Sequence, residues 1–266
     1  MAGMIDAFAR IDRHVARAVS VSVEPQVILE RIEAGSIRAV LRTLLNQVDD
    51  EALRTLDWKP LIGQYLVKAK HVILRKLNGR PRIASRAEVM ELQQELIDLA
   101  PQDVQMLPPA PISAEDLLWD IEAIATAASE LRDGDSAEFI SRYEETRIET
   151  RLRITAEDIE SLLTRETTSS ESEQLLLVKK PDYLGNSMWE FRLGEKSIEA
   201  KMLHEEWLER FRRQEIPLRP GDALRAMLRI ETAQGFEGHE VAIHYYVVRV
   251  LQVVHVPAFR QPDLPS

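Results

Sequence analysis

LLLVKKPDYLGNSMWEFRLGEKSIEAKML, residues Leu175 to Leu203, is where the chain changes character. Upstream the apolar residues recur at helical spacing; here they alternate in short runs bounded by Pro181-Asp182 with Gly185-Asn186 and by Gly194-Glu195, the pattern of strands joined by tight turns. Strands are predicted over Leu175–Lys180, Met188–Leu193 and Ser197–Leu203. Side chains alternate across a strand, so Trp189, Phe191 and Leu193 share one face of the second and Ile198, Ala200 and Met202 one face of the third. Residues 204–215 follow as a helix with Trp207, Leu208 and Phe211 on one side. The turn PLRPGD (217–222) leads into a fourth strand, in which Leu224, Ala226, Leu228 and Ile230 alternate with Arg225, Met227, Arg229 and Glu231. A long last strand covers Glu240 to His255. Three strands, a helix and two strands is the order of an OB-type five-stranded barrel, and it equally suits another small barrel or half-barrel. Trp189 and Phe191 either fill the interior of that barrel or present a ligand or partner surface.

Working outward, RETTSSESEQ (165–174) is small, polar and without apolar anchors, which reads as a linker. The expected organisation is α+β: a mostly helical domain over 1–164 with a β-hairpin, the linker 165–174, a small OB-like barrel over 175–257 and a flexible tail over 258–266. In the first domain, Ile5, Phe8, Ile11, Val15 and Ala18 space an amphipathic helix over 4–19. The Val-, Ile- and Leu-rich runs on either side of Glu33-Ala34-Gly35-Ser36 read as two strands meeting in a turn, with a helix through Ile37 to Leu45 as the competitor. Asp49-Asp50-Glu51 opens a helical stretch. Trp58, Ile62, Tyr65, Leu66, Ala69, Val72 and Ile73 then mark the most hydrophobic helix, closed by Asn78-Gly79. Ser85, with Glu88 three residues on, reads as a capping box for a helix carrying Met90, Leu92, Leu96 and Leu99. PPAPIS (108–113) is a stiff connection. Ser113 starts an acidic helix to about Arg132, ended by Asp133-Gly134-Asp135. Residues 139–154 are poorly periodic, and 155–165 form a short helix capped by Thr155.

The chain has 266 residues, no cysteine and a net charge of −10. Disulfides and thiolate chemistry are excluded, and a metal site would have to use histidine and carboxylates. Asp6, Arg10, Asp12 and Arg13 interrupt the first apolar positions too early for a secretory signal. The most apolar segment, Trp58 to Leu77, is broken by Lys59, Lys68, Lys70, Arg75 and Lys76, which disfavours a membrane-associated effector. A cytoplasmic location is expected. The charge is partitioned: residues 1–86 carry +6 and residues 87–146 carry −13. Such halves attract one another within a chain or between copies, or simply solvate an acidic face.

No nucleophile elbow, Walker loop, dinucleotide glycine fingerprint or kinase signature is present. His204-Glu205 starts like a zinc helix, but Leu208 stands where the second histidine belongs. His239 and His244 lie an odd number of residues apart, so on a strand they face opposite ways. His71 sits among aliphatic residues and reads as a satisfied histidine. No catalytic residue, metal ligand or cofactor site is expected, although an enzymatic activity stays open. The candidate partner or nucleic-acid surface comprises Trp189, Arg210, Arg212, Arg213, Arg225, Arg229 and Tyr245. The arginines of 210–213, with Arg219, form either a phosphate-facing patch or a solvated helix end with cations near its C-terminus.

The segments VKKPDYLGNSMWEF, IEAK, WLERF and RPGDALRA resemble a family of uncharacterised bacterial proteins carried on mobile-element or antiviral-defence gene clusters. EAGSIRAVLRTLL and LDWKPLIGQYLVKAKHVIL are similar to segments that precede the barrel in such proteins. The resemblance spans about half the chain, implies a bacterial accessory or anti-phage setting, and assigns no catalytic or binding residue. The expected function is that of a non-enzymatic interaction or assembly component, which self-associates as a homo-oligomer or docks a protein partner. The alternative is a single-strand nucleic-acid-binding module that uses the barrel.

Overall fold

The computed structural model describes residues 2–19, 23–33, 38–47, 59–101, 112–131, 136–182, 188–219, 221–236 and 238–255. The chain divides into two compact units, Met1–Leu163 and Thr164–Ser266. The fold is α+β, with helices and two small hairpin sheets in the first unit and a closed five-stranded barrel in the second.

The first unit contains α1 (Ala2–Val19), strands β1 (Val23–Glu33) and β2 (Arg38–Gln47), α2 (Lys59–Leu77), α3 (Arg86–Leu99), α4 (Ala114–Ser129), strands β3 (Glu138–Ile140) and β4 (Glu145–Arg147), and α5 (Ala156–Leu163). β1 and β2 pair antiparallel, from Val23 opposite Gln47 to Glu33 opposite Arg38, which decides for the hairpin over the competing helix. The expected turn at Ala34-Gly35-Ser36, the helix start at Asp49–Glu51, Trp58, most of PPAPIS, the helix stop at 133–135 and the tail 258–266 lie outside the described residues. Along α2, Ile62, Tyr65, Leu66, Ala69, Val72 and Ile73 are buried, as are Phe8, Ile11 and Val15 of α1, the helix α2 packs against. Gly79 has φ +74°, the left-handed conformation that ends a helix at little cost when no Cβ is present.

The starts of α3, α4 and α5 are capped by a side chain. Ser85 Oγ accepts from the Glu88 N–H at 3.4 Å, but the Glu88 carboxylate accepts from Arg80 at 2.6 Å, so half of the expected box is spent on a long-range ion pair. The reciprocal arrangement appears at α5. There the Thr155 hydroxyl accepts from the Asp158 N–H at 3.2 Å, and the Asp158 carboxylate accepts from the Thr155 N–H at 2.9 Å. Met90, expected in the core of α3, is 56% exposed, and Val89 takes its place.

The second unit is built from β5 (Thr164–Lys180), β6 (Trp189–Leu193), β7 (Lys196–Met202), α6 (Glu205–Arg212), β8 (Ala223–Gly235) and β9 (Glu240–Val254). The barrel order is β5-β6-β7-β9-β8, closed by β8 on β5, with β7 and β9 parallel and the other pairs antiparallel. With α6 between β7 and β8, this is OB-type connectivity. The two-residue turn Gly194-Glu195 joins β6 to β7, and the positive φ of Gly194, +60°, matches the twist of the flanking strands.

The interior follows the alternation. Trp189, Phe191, Ile198, Ala200, Leu224, Ala226 and Leu228 are buried in one cluster with Leu176 and Val178, and α6 adds Trp207, Leu208 and Phe211. Trp189 stacks on Phe191 with ring centroids 5.9 Å apart, and the Phe211 ring lies 5.1 Å from that of Trp189. Removing each such side chain from water contributes roughly 2–3 kcal/mol. Among the described residues, no helix is long and apolar enough to cross a membrane.

The segment 165–174 is not a linker. It is the first part of β5, held in continuous register with β8 from Glu166 opposite Gln234 to Leu177 opposite Ala223, after an irregularity between Thr164 and Glu166. A backbone ladder needs no apolar side chains when both faces of the strand are wet, so the composition that reads as linker is also that of a solvent-facing strand.

Candidate interaction surface

β5, β8 and β9 continue past the closed part of the barrel as a three-stranded antiparallel sheet. β6 joins β5 only at Leu177, and β7 joins β9 only from Tyr245, while the β5–β8 ladder reaches back to Thr164 and the β8–β9 ladder out to Gln234 opposite Glu240. Residues 165–173 of β5 are all exposed. Among the described residues, β8 is the one strand paired with this stretch, so its far side is an open sheet edge.

The candidate residues fall in different places. Trp189 is 1% exposed and belongs to the barrel interior, which corrects its reading as a surface residue. Tyr245 is half-buried against the same core, with its hydroxyl 3.2 Å from Lys196 Nζ. Arg229 and Arg225, on β8, face the adjacent strand and pair with its carboxylates: Arg229 Nε donates to Glu171 at 2.7 Å, and Arg225 Nε to Glu173. The Glu171 hydrogen bond raises the pKa of the Arg229 guanidinium above its ordinary value. Arg210, Arg212 and Arg213 lie at the end of α6, where Arg210 meets Glu215 at 3.6 Å and Arg213 meets Glu209 at 3.7 Å. The structure therefore does not bring the seven residues together into one basic face.

Four of the six histidines, His14, His71, His204 and His255, are engaged in the framework. Both ring nitrogens of His71, a residue 1% exposed, meet hydroxyls: Nδ1 lies 2.7 Å from Thr146 Oγ1 and Nε2 2.8 Å from Ser141 Oγ. Burial holds the His71 pKa below the ordinary histidine value, with the Glu144 carboxylate pulling the other way. His14 Nδ1 lies 2.9 Å from Asp120, a fully buried carboxylate that also accepts from Arg10 Nε at 3.0 Å. His204 Nδ1 accepts from the Val250 N–H at 3.1 Å, and His255 meets Asp222 at 3.0 Å. Among the described residues, no cluster of histidine and carboxylate side chains is arranged to hold a metal ion, and no buried side-chain nitrogen or oxygen lacks a hydrogen-bond partner.

The charge partition closes in part inside the first unit, where Arg10 and His14 of α1 meet Asp120 of α4. Lys76 bridges Glu91 and Glu95 of α3, each at 3.1 Å, and Arg75 meets Glu144 at 3.1 Å.

What sequence reasoning missed is the open edge of β5. The available signal was the Thr167-Thr168 pair beside a run with neither Pro nor Gly. Compared with models of protein families, with curated proteins and with solved structures, the chain matches none.

Proposed function

We propose that the protein is a non-enzymatic assembly component, in the accessory or defence setting implied by the resemblance of its barrel segments, and that it makes its contacts through the sheet that extends the barrel. The observation that carries this reading is the run of exposed strand, residues 165–173, paired on one side only. An open ladder of N–H and C=O groups is a ready template for another strand. Engagement of His14, His71, His204 and His255 in framework hydrogen bonds supports the non-enzymatic part of the reading.

The nucleic-acid alternative draws less from the geometry. A groove that tracks phosphates needs free cations and exposed aromatic faces. Here Arg225 and Arg229 are matched by Glu173 and Glu171, and Trp189 is inside. Size exclusion with light scattering, with absorbance at 260 and 280 nm, separates the two readings. Assembly gives a mass above 30.4 kDa without nucleic acid. A monomer that carries nucleic acid, shed as salt rises, would overturn it in favour of the alternative.

A further inference from the structure

We infer that the partner strand is the β5 of a second copy, and that two chains pair antiparallel across a twofold axis at Ser169. This deepens the assembly reading and rests on it. The fully exposed run of β5 is Arg165 to Glu173, paired on one side only before β6 takes over at Leu177, and its midpoint is Ser169. The register that uses the whole edge therefore sets Ser169 opposite its own copy and Arg165 opposite Glu173 at both ends. Shifting the register by one residue in either direction sets Glu166 opposite Glu171 or opposite Glu173, a like-charge contact that destabilises a sheet. A shift of two residues shortens the ladder or loses the Arg165 pairing.

Arg165 lies at the irregularity between Thr164 and Glu166, beside Glu166 of its own chain, and would turn to the second copy's Glu173, which already meets Arg225. The joined edges exchange about ten backbone hydrogen bonds. The result is a closed, isologous six-stranded sheet, with no edge left to propagate from β5.

Proteins that keep such an edge solitary blunt it with Pro, Lys, a bulge in the middle or a very short strand. Residues 165–174 contain no Pro, Gly or Lys, and the single irregularity lies at the far end, between Thr164 and Glu166. The remaining deterrents are Glu166, Glu171 and Glu173. All three have a cation of their own chain beside them, Arg165 for Glu166, Arg229 for Glu171 and Arg225 for Glu173, and Glu166 faces Ser172 in the proposed register.

The chain lacks cysteine, so single-cysteine variants report the register directly. Ser169→Cys forms a covalent dimer under mild oxidation. Thr167→Cys does not, because its two copies sit about 14 Å apart, beyond the reach of a disulfide. Arg165→Glu and Glu173→Arg each weaken the dimer about tenfold, and an equimolar mixture of the two recovers it to within about threefold, since both ends then carry opposite charges. A wild-type mass above 30.4 kDa with no Ser169→Cys cross-link overturns this interface and leaves the assembly reading standing. Cross-linking of Thr167→Cys as readily as Ser169→Cys overturns the register. A wild-type mass of 30.4 kDa at every concentration overturns self-association altogether.

Discussion

His71 shows how much of a residue's role is set by what it meets. The sequence places it within the most apolar helix, and the structure seats it between the hydroxyls of Thr146 and Ser141, under the ring of Phe139 at 4.7 Å. Neutral imidazole suits this seat, with one nitrogen donating and the other accepting. A histidine whose pKa is lowered on folding binds its proton more readily in the unfolded chain. Its contribution is therefore complete above the unfolded value of about 6.5 and is lost as pH falls through the lower folded value. The first unit should lose stability between pH 7.5 and 5.5, and His71→Gln should flatten that part of the profile, as read by urea denaturation at the two pH values. An unchanged slope in the variant would assign the dependence elsewhere. Other residues were legible only in part. Gln214 adopts φ +61° after α6, where Glu215 N–H bonds to Arg210 C=O and Gln214 N–H to Phe211 C=O. This is the helix stop that glycine usually makes, written here without one.

At the scale of elements, α1 and α2 are joined through a buried ion pair, Lys70 with Asp12, whose side chains are 5% and 0% exposed. Breaking such a pair from one side leaves an uncompensated charge in the interior. Lys70→Met should therefore cost about 3–5 kcal/mol. The double variant Asp12→Asn/Lys70→Met should cost clearly less than the sum of the single changes, which denaturant titration of all three will show. Additive losses would mean that the two side chains do not depend on each other. Periodicity alone located α1, α2 and the barrel strands, because each buries one face against a core and leaves the other wet. It failed for β3 and β4, three residues each and too short to show a period, and for the first half of β5, where neither face is buried.

For the whole molecule, the largest apparent clue in the sequence was the +6 and −13 halves. Part of that attraction is used within the first unit, between α1, α2 and the acidic α3, α4 and β3–β4 hairpin. It follows that self-association should respond weakly to salt. Two exposed charge pairs cross the proposed edge, and exposed pairs contribute about 0–1 kcal/mol each. Raising ionic strength from about 0.05 to 0.5 M, where screening shortens to a few ångströms, should weaken the dimer by less than about tenfold. A response of a hundredfold or more would move the contact to the acidic surfaces instead.

The sequence by itself determined the α+β class, the helix starts at Ser85, Ser113 and Thr155, and that Trp189 and Phe191 share one strand face and Ile198 and Ala200 another, while the tertiary structure turned those faces inward. These are local properties: a cap satisfies donors within one turn, and alternation follows from the geometry of a single strand. Tertiary structure alone decided that residues 165–174 are strand, that the arginines of β8 are matched by glutamates, and that the charged halves meet inside one unit. Each of these depends on a partner 50 or more residues away in the chain, and a polar segment shows no preference for its partner until the ladder beside it exists.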